Sequence, residues 1–328
     1  MIEAQNRGIY VAIMLFNGWS ITKAKGQWRQ GNPWRGHPFH PQNNINGING
    51  DPSGDDSGEE THELAVPAVT AIQEAYVRKV IDTVSDLDNV LYEISNESQA
   101  NSVKWEYHMI RTIKSYEATK SKQHPVGMSV IWPEGNNQDL LVSPADWIAP
   151  KEHEGDVLIN KGKVVLDDTD HWFGIGGDRK WAWKRFMTGA NPVFMDAYDV
   201  SSYREHDNIG EFRTTEPQWT SLRLTLGYIQ TYANRVDLAN MVPRGELVST
   251  GYCLASSKPS ALQFLVYQPQ AGEVTVDLSR TGGSFAVEWF DPATGLFLTE
   301  PSCEGGDKRR FPSPFDGDAV LFLDQSSR

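Results

Sequence analysis

The fold of this chain is decided by residues 89–97, which read NVLYEISNE. The apolar run that opens this stretch is typical of a strand buried on both faces of a parallel sheet. Asn96 and Glu97 stand where the run stops, and a helix-like pattern follows over residues 103–116. Because a (β/α) barrel keeps its chemistry at the carboxyl ends of its strands, Glu97 is a candidate site residue. Alternatively, Glu97 could cap the following helix, since acids favour helix amino ends.

The same alternation of strand and helix patterns extends on both sides of this stretch. Strands are predicted at residues 9–16, 89–95, 125–132, 147–150, 163–166 and 193–195, and helices at 67–84, 103–116, 179–188 and 219–232. Such alternation favours parallel strands joined by crossover helices. We therefore predict an α/β fold for residues 1–243, a (β/α) barrel of about six strand-helix units.

The pattern changes beyond residue 244. Short segments of alternating polarity, separated by Gly, Pro and Asp, run to the end of the chain. They predict a small antiparallel β-sandwich over residues 244–328. No flexible linker precedes it, so we expect it to pack against the barrel-like part. Cys253 and Cys303 both lie in this region, and one optional disulfide between them is left open.

Composition excludes several classes of partner. The 30 basic and 43 acidic residues give a formal charge of −13, which repels phosphate backbones and anionic membrane surfaces. We therefore expect neither nucleic acid nor membrane partners. No apolar stretch approaches the roughly 20 residues of a membrane span, and the first seven residues lack the hydrophobic segment of a secretion signal. The chain as written is expected to be soluble, and its compartment is unknown.

A long polar stretch, residues 17–63, has neither helical nor strand periodicity. Loops of this length are usually functional or disordered, and its Trp, His and Phe content argues against disorder. We predict an ordered loop that covers a site. His37 and His40 within it have the spacing of metal ligands, but no partner ligands at fixed spacing accompany them.

The predicted carboxyl ends of the strands collect polar and aromatic side chains: Asn17, Trp19, Asn96, Glu97, Trp132, Asp168, Asp170, His171, Asp196 and Tyr198. Cleavage of a glycosidic bond needs a proton donor on one side and a nucleophile or base on the other, and both are carboxyl groups in most enzymes. Glu97 could be the proton donor and Asp168 or Asp170 the second carboxylate. Asn96 could bind a sugar hydroxyl near the cleaved bond, and Trp132 and Trp172 could stack on sugar rings.

A metal centre is the competing interpretation of residues 167–171, which hold three Asp and one His. Adjacent side chains on an extended segment alternate in direction, so at most two of them would converge. We do not predict metal catalysis, although a structural cation stays open. No dinucleotide fingerprint or phosphate-loop Lys occurs, so no cofactor is expected.

These residues resemble the clan of retaining (β/α)8-barrel glycoside hydrolases that contains the cellulase-like families. In that clan an Asn-Glu pair closing the fourth strand supplies the acid/base, a role that the resemblance assigns to Glu97. The tail, with GYCLA at 251–255 and WFDPATG at 289–295, resembles a β-sandwich family labelled as collagen-binding that follows such barrels. The resemblance implies a carbohydrate substrate.

The chain departs from the clan pattern in two places. If Glu97 ends the fourth strand, residues 9–16 form the third, and strands one and two are absent. An open barrel would leave unpaired edges, which the long loop, the sandwich or a second copy of the chain would have to cover. The clan nucleophile is a Glu at the end of strand seven, where this sequence has Asp168 and Asp170. We favour Asp170 slightly because it lies farther along toward the barrel mouth.

The leading hypothesis is therefore a glycoside hydrolase-like protein that cleaves O-glycosidic bonds of a poly- or oligosaccharide. The alternative is a non-catalytic, degenerate carbohydrate-binding protein that keeps the cleft without turnover. A protein-binding role would rest on the family label of the tail alone. The sugar, its linkage and the anomeric outcome are open.

Overall fold

The computed structural model describes residues 1–21, 31–151, 162–172, 174, 176–196, 217–258 and 262–325. Its first part contains strands β1 to β6, which are Val11–Asn17, Val90–Asn96, Val126–Ser129, Trp147–Ala149, Val164–Asp168 and Asn191–Val193. The helices α1 to α6 are Ile2–Gln5, Pro67–Val84, Val103–Glu117, Asn137–Val142, Arg179–Met187 and Pro217–Arg235.

The six strands form one parallel sheet in the order β1-β2-β3-β4-β5-β6. Each strand is thus bonded to its neighbour in the sequence, as expected when helices make the crossovers. This confirms the predicted α/β fold with an incomplete barrel of six strands. Helix α4 was not predicted, because its six residues are too few to show a helical period.

Side-chain size sets how the middle strands pack. Glu93 on β2 pairs with Gly127 on β3, which in turn pairs with Trp147 on β4. A Cβ on Gly127 would lie 1.9 Å from the Trp147 indole, so only glycine leaves room for this ring. Ser129 donates a hydrogen bond to the Glu93 carboxylate. These residues share one face of the sheet, because residues two apart in a strand point the same way.

The second part of the chain is antiparallel. Strands β7 to β14 are Met241–Pro243, Cys253–Ser256, Gln263–Gln268, Glu273–Asp277, Ser284–Phe290, Phe297–Glu304, Lys308–Pro312 and Ala319–Asp324. Six of them form a sheet in the order β12-β11-β14-β9-β8-β7, and β10 pairs with β13. Apolar residues from both sheets, including Val276, Phe311, Trp289 and Leu321, form a shared core. The predicted β-sandwich is confirmed.

Helices α5 and α6 pack on the other face of this antiparallel sheet. Trp183 and Phe186 from α5 and Tyr232 from α6 are buried in one cluster with Tyr267 and Phe290 of the sheet. The rings of Trp183 and Tyr267 stack at a centroid distance of 6.1 Å. The sheet therefore has apolar residues on both faces, one toward β10 and β13 and one toward the helices.

By its internal contacts the chain divides into two compact units, and the division falls within β5, after Val165. The first unit contains β1 to β4, and the second contains α5, β6, α6 and the sandwich. The proposed domain limits, 1–243 and 244–328, stay a prediction.

Cys253 and Cys303 are both free thiols, so the disulfide left open by the sequence does not form. They lie on β8 and β12, with β9, β14 and β11 between them. Four strand spacings amount to roughly 19 Å, whereas a disulfide needs Cα atoms within about 7 Å. None of the described helices combines the length and the apolar character that a membrane crossing requires.

Candidate functional site

Glu97 lies directly after the carboxyl end of β2, as predicted. Its backbone has φ +46°, in the left-handed region that side chains other than Gly seldom adopt. Residues 98–102 then turn into α3. The side chain is partly buried, and its Oε2 atom is inaccessible to solvent. A strained backbone at a strand end is a feature that functional sites accumulate.

Asn17 and Trp19 lie at the end of the neighbouring strand. Asn17 pairs in register with Asn96, so the two predicted side chains end adjacent strands. The Asn17 Oδ1 atom accepts a hydrogen bond from the Trp19 amide at 2.9 Å. Asn17 is exposed, but this oxygen is used to shape the turn that carries Trp19.

Trp132 follows β3 and meets Trp19 across the end of β2. The two indole rings are nearly parallel, with an interplanar angle of 12° and a centroid distance of 6.3 Å. Their strands, β1 and β3, are two spacings apart, roughly 10 Å, so the rings lean toward each other. We call Trp19 and Trp132 the tryptophan pair. Trp132 is 36% exposed, so part of its ring surface is accessible to solvent.

Of the loop predicted over residues 17–63, residues 22–30 lie outside the described residues, and the part at 31–63 is built around short 3-10 turns. Its centre is Trp34, which is fully buried and packs so closely on Gly58 that a Cβ there would lie 2.1 Å from the ring. The Asp51 carboxylate accepts hydrogen bonds from the amides of Gly54 and Asp56 and from the Ser53 hydroxyl. Short 3-10 turns of the loop contact the turns that follow β1 and β2. The loop is thus fixed beside Glu97.

His37 and His40 belong to the aromatic cluster around Trp34. The His37 ring stacks on Trp34 at 4.9 Å, and its Nδ1 atom accepts the Phe39 amide at 3.2 Å. The His40 Nδ1 atom accepts the Gln42 amide at 3.3 Å. Burial, together with the nearby His40, lowers the pKa of His37 to about 4. Their ligand-like spacing is therefore accounted for by packing.

This lowered pKa predicts that acid loosens the loop. A group with a folded pKa of about 4 and an unfolded pKa of about 6.5 stabilises the fold fully above pH 6.5. That contribution, about 1–2 kcal/mol after allowance for partial exposure, is lost as the pH falls from 6.5 toward 4. Hydrogen exchange of residues 33–45, corrected for intrinsic rates, should show weaker protection at pH 4.5 than at pH 7. A His37→Asn variant, which keeps an acceptor but does not titrate, should lose this dependence; equal protection of the wild type at both pH values would contradict the prediction.

Three aspartates at the end of β5 have different surroundings. Asp167 is fully buried and accepts a hydrogen bond from Arg185 Nε of α5 at 2.5 Å. Asp168 points to the opposite face by strand alternation, and its Oδ1 atom accepts the Asp170 amide at 3.0 Å. Burial raises the pKa of Asp168, an effect that the Asp170 amide and His171 oppose. Asp170 is exposed in a 3-10 turn.

The predicted aromatic neighbours of these aspartates lie in the same turn. His171 is partly buried at the end of the 3-10 turn. Trp172 packs edge-on against Trp181 at 5.8 Å, and the Arg185 guanidinium lies 5.2 Å from its ring centroid. These two contacts cover part of the Trp172 ring.

Asp196 follows β6 and forms a two-bond ion pair with Arg223 of α6, with both distances 2.7 Å. The Arg223 hydrogen bonds lower the pKa of the Asp196 carboxyl. Both oxygens of this carboxyl group are thus bonded to Arg223. Tyr198, the last predicted binding residue, lies outside the described residues.

Across the part of the chain that the structure describes, no group of three or more His, Cys, Asp or Glu side chains is arranged to hold a metal ion. Glu97 and the tryptophan pair belong to the first compact unit, and Asp168, Asp170 and His171 to the second.

Sequence reasoning missed two residues that shape the Glu97 turn. Gly18 approaches Glu97 so closely that a Cβ would lie 2.1 Å from its carbonyl oxygen. Gln99 donates a hydrogen bond from Nε2 to the Gly18 carbonyl at 2.9 Å. A glycine between the strand end and Trp19 was a signal for the first; no sequence pattern marks the second.

Solved structures show that this fold is the one found in glycoside hydrolases. A glycoside hydrolase structure superposes with a TM-score of 0.58 at 12% identity, over 100% of this chain and 88% of its own. A glycoside hydrolase family 5 protein from Bacteroides vulgatus gives a TM-score of 0.59 at 14% identity, over 100% and 85%. An α-amylase from Geobacillus thermoleovorans, complexed with acarbose, gives 0.52 at 11%, over 99% and 80%. The barrel-like part and the sandwich are thus both matched.

The tail has a separate match. Residues 241–324 fit the family model described as "Putative collagen-binding domain of a collagenase". The match begins at β7, so the whole antiparallel part falls within it. No curated protein matches the chain.

Proposed function

We propose that the chain hydrolyses O-glycosidic bonds of a poly- or oligosaccharide, with Glu97 as acid/base. The observation that carries this proposal is the placement of Glu97 at the carboxyl end of an internal parallel strand, beside the tryptophan pair, in a fold shared with glycoside hydrolases. A carboxyl group donates the proton that the departing sugar oxygen needs, and flat rings hold the sugar. Asn96 would bind a hydroxyl near the cleaved bond.

The second carboxylate is proposed to be Asp168, with Asp170 as the alternative. Strand register supports Asp168: Glu93 pairs with Gly127, Gly127 with Trp147, and Trp147 with Val164. Counting in twos from Val164 along β5 leads to Asp168, the last residue of that strand, so the strand fixes the direction of its side chain, opposite to that of the buried Asp167. Asp170 lies in a turn, where this count no longer applies.

The raised pKa of Asp168 has a consequence for the pH profile. A nucleophilic carboxyl group must be ionised. Turnover should therefore rise with pH, with a midpoint above the usual Asp pKa of about 4.

A substrate panel tests the proposal against the alternative of binding without turnover. Aryl glycosides and soluble polysaccharides would be assayed for released sugar, and the same polysaccharides titrated by calorimetry. Released sugar that disappears with Glu97→Gln supports hydrolysis. Binding of a polysaccharide with no released sugar would replace the hydrolase proposal with the carbohydrate-binding one.

We also propose that the chain self-associates through the outer edge of β1. Within the described residues, β1 is hydrogen-bonded to β2 and to no other strand. Tyr10, directly before this strand, and Met14 within it are 66% and 44% exposed. Unpaired strand edges that carry apolar side chains tend to pair with another chain. Multi-angle light scattering at micromolar concentration should report a mass above that of the monomer.

A positive charge introduced on β1 should prevent this self-association. Met14→Lys is expected to give a monomer, because lysine on an edge strand opposes pairing. Leu298→Lys is the matched control, since Leu298 is 45% exposed on β12, the edge of the antiparallel sheet. A wild-type protein that is monomeric, or an association abolished only by Leu298→Lys, would contradict the β1 interface.

A further inference from the structure

The turns that follow β1 and β2 are in backbone contact. Gly18 lies so close to the second turn that a Cβ would be 2.1 Å from the Glu97 carbonyl oxygen and 2.9 Å from the Ser98 Cα. Glu97 takes its left-handed conformation at this contact. On the other side of Gly18, the Trp19 amide is held by Asn17. The contact between Gly18 and Glu97 thus sets both the position of Trp19 and the backbone of Glu97; we call this contact the junction.

Gln99 is the side chain that fastens this junction. Its Nε2 atom donates to the Gly18 carbonyl at 2.9 Å, and the residue is only 7% exposed. The Oε1 atom of the same amide is buried and has no hydrogen-bond partner among the residues that the structure describes. An unsatisfied buried acceptor costs stability, so an apolar residue of similar size would serve folding better. The amide of Gln99 is therefore better explained by its hydrogen bond to Gly18 than by a contribution to the stability of the fold.

We infer that Gln99 is a positioning residue for the reaction proposed at Glu97. Through Gly18 it fixes where Trp19 sits relative to the Glu97 backbone, and hence where a sugar stacked on Trp19 would lie relative to the carboxyl group. This inference rests on the proposed hydrolysis for its effect on rate. The geometric part, that Gln99 sets the environment of Trp19, does not depend on any activity.

The expected kinetic effect is on turnover. Displacement of a bound substrate by about 1 Å from its productive position can cost about 100-fold in rate. Gln99→Met keeps the length of the side chain and removes its donor, and it should lower kcat by about 10–100-fold with KM changed less than about 3-fold. The matched control is Gln123→Met, because Gln123 also donates to backbone carbonyls, of Glu117 and Lys120, but in the segment that precedes β3. That control should keep wild-type kcat.

A readout independent of activity separates this inference from the proposed function. The protein would be labelled with 5-fluorotryptophan, and the Trp19 resonance assigned by its loss in Trp19→Phe. Gln99→Met should shift or broaden that resonance, and Gln123→Met should not. If Gln99→Met does not melt cooperatively, Gln99→Glu, which keeps the size and loses the donor when ionised, takes its place.

The outcomes are distinct. An unchanged Trp19 resonance overturns the inference, whether or not the protein hydrolyses glycosides. A shifted resonance with unchanged kcat also overturns it, because the bond would then shape the turn without serving the reaction. A shifted resonance in a protein that releases no sugar from any substrate refutes the proposed hydrolysis and leaves Gln99 with the geometric role alone.

Discussion

Glu97→Gln should lower glycosidase turnover by about 10²–10⁴-fold, the range that a general acid contributes. Gln has nearly the shape of Glu and cannot give up a proton, so the fold should be retained. The melting temperature is therefore expected to stay close to that of the wild type. Released sugar under saturating substrate measures the first effect, and thermal unfolding the second.

The loss should depend on the leaving group. A dinitrophenolate departs without protonation, whereas a sugar alkoxide needs a proton. The Glu97→Gln defect should therefore be much smaller with a dinitrophenyl glycoside than with an oligosaccharide. Glu134→Gln is the control, because Glu134 is an exposed acid two residues beyond Trp132. Equal turnover of the Glu97→Gln variant and the wild type on oligosaccharides would remove the assignment.

The second large effect is expected at two adjacent aspartates whose roles should separate. Asp167 is fully buried against Arg185, and removing one partner of a buried ion pair costs about 3–5 kcal/mol. Asp167→Asn should therefore lower the free energy of unfolding by that amount, measured by urea denaturation. Asp168→Asn should change it by less than about 1 kcal/mol and instead reduce turnover at least about 100-fold, if Asp168 is the nucleophile.

Asp170→Asn completes the comparison. Asp170 is exposed, so its replacement should leave stability unchanged. Should the large loss of turnover occur in Asp170→Asn and not in Asp168→Asn, the nucleophile would be Asp170. A stable Asp167→Asn protein would show that the Arg185 contact is not the structural requirement that its burial indicates.

The sequence predicted most of the regular elements because their apolar residues repeat at the period of each element. The predicted helix at 67–84 coincides with α2, and the strand before Glu97 is displaced by one residue at each end. Strand β12 gives a weaker signal in the sequence, because it is exposed along most of its length and carries little alternation. Periodicity records burial, so an exposed edge strand leaves no comparable pattern.

The candidate site was predictable only where chemistry follows strand ends. Asn96, Glu97 and Asp168 are at the ends that the sequence indicated. The use of the Asn17 oxygen as a cap, and of Asp196 as a partner of Arg223, could not be predicted, because these contacts are made by the folded chain. The same holds for the bond between Gln99 and Gly18, which joins residues 81 positions apart.

The apolar cluster shared by α5, α6 and the antiparallel sheet limits how this chain can be shortened. Removing everything beyond residue 240 would strip Trp183, Phe186 and Tyr232 of the strands that cover them. Three large aromatic rings exposed together form an apolar patch that promotes aggregation, so such a fragment should precipitate when expressed. The antiparallel sheet thus completes the core that contains helices α5 and α6. An unrelated domain could replace it only if that domain covered the same three rings.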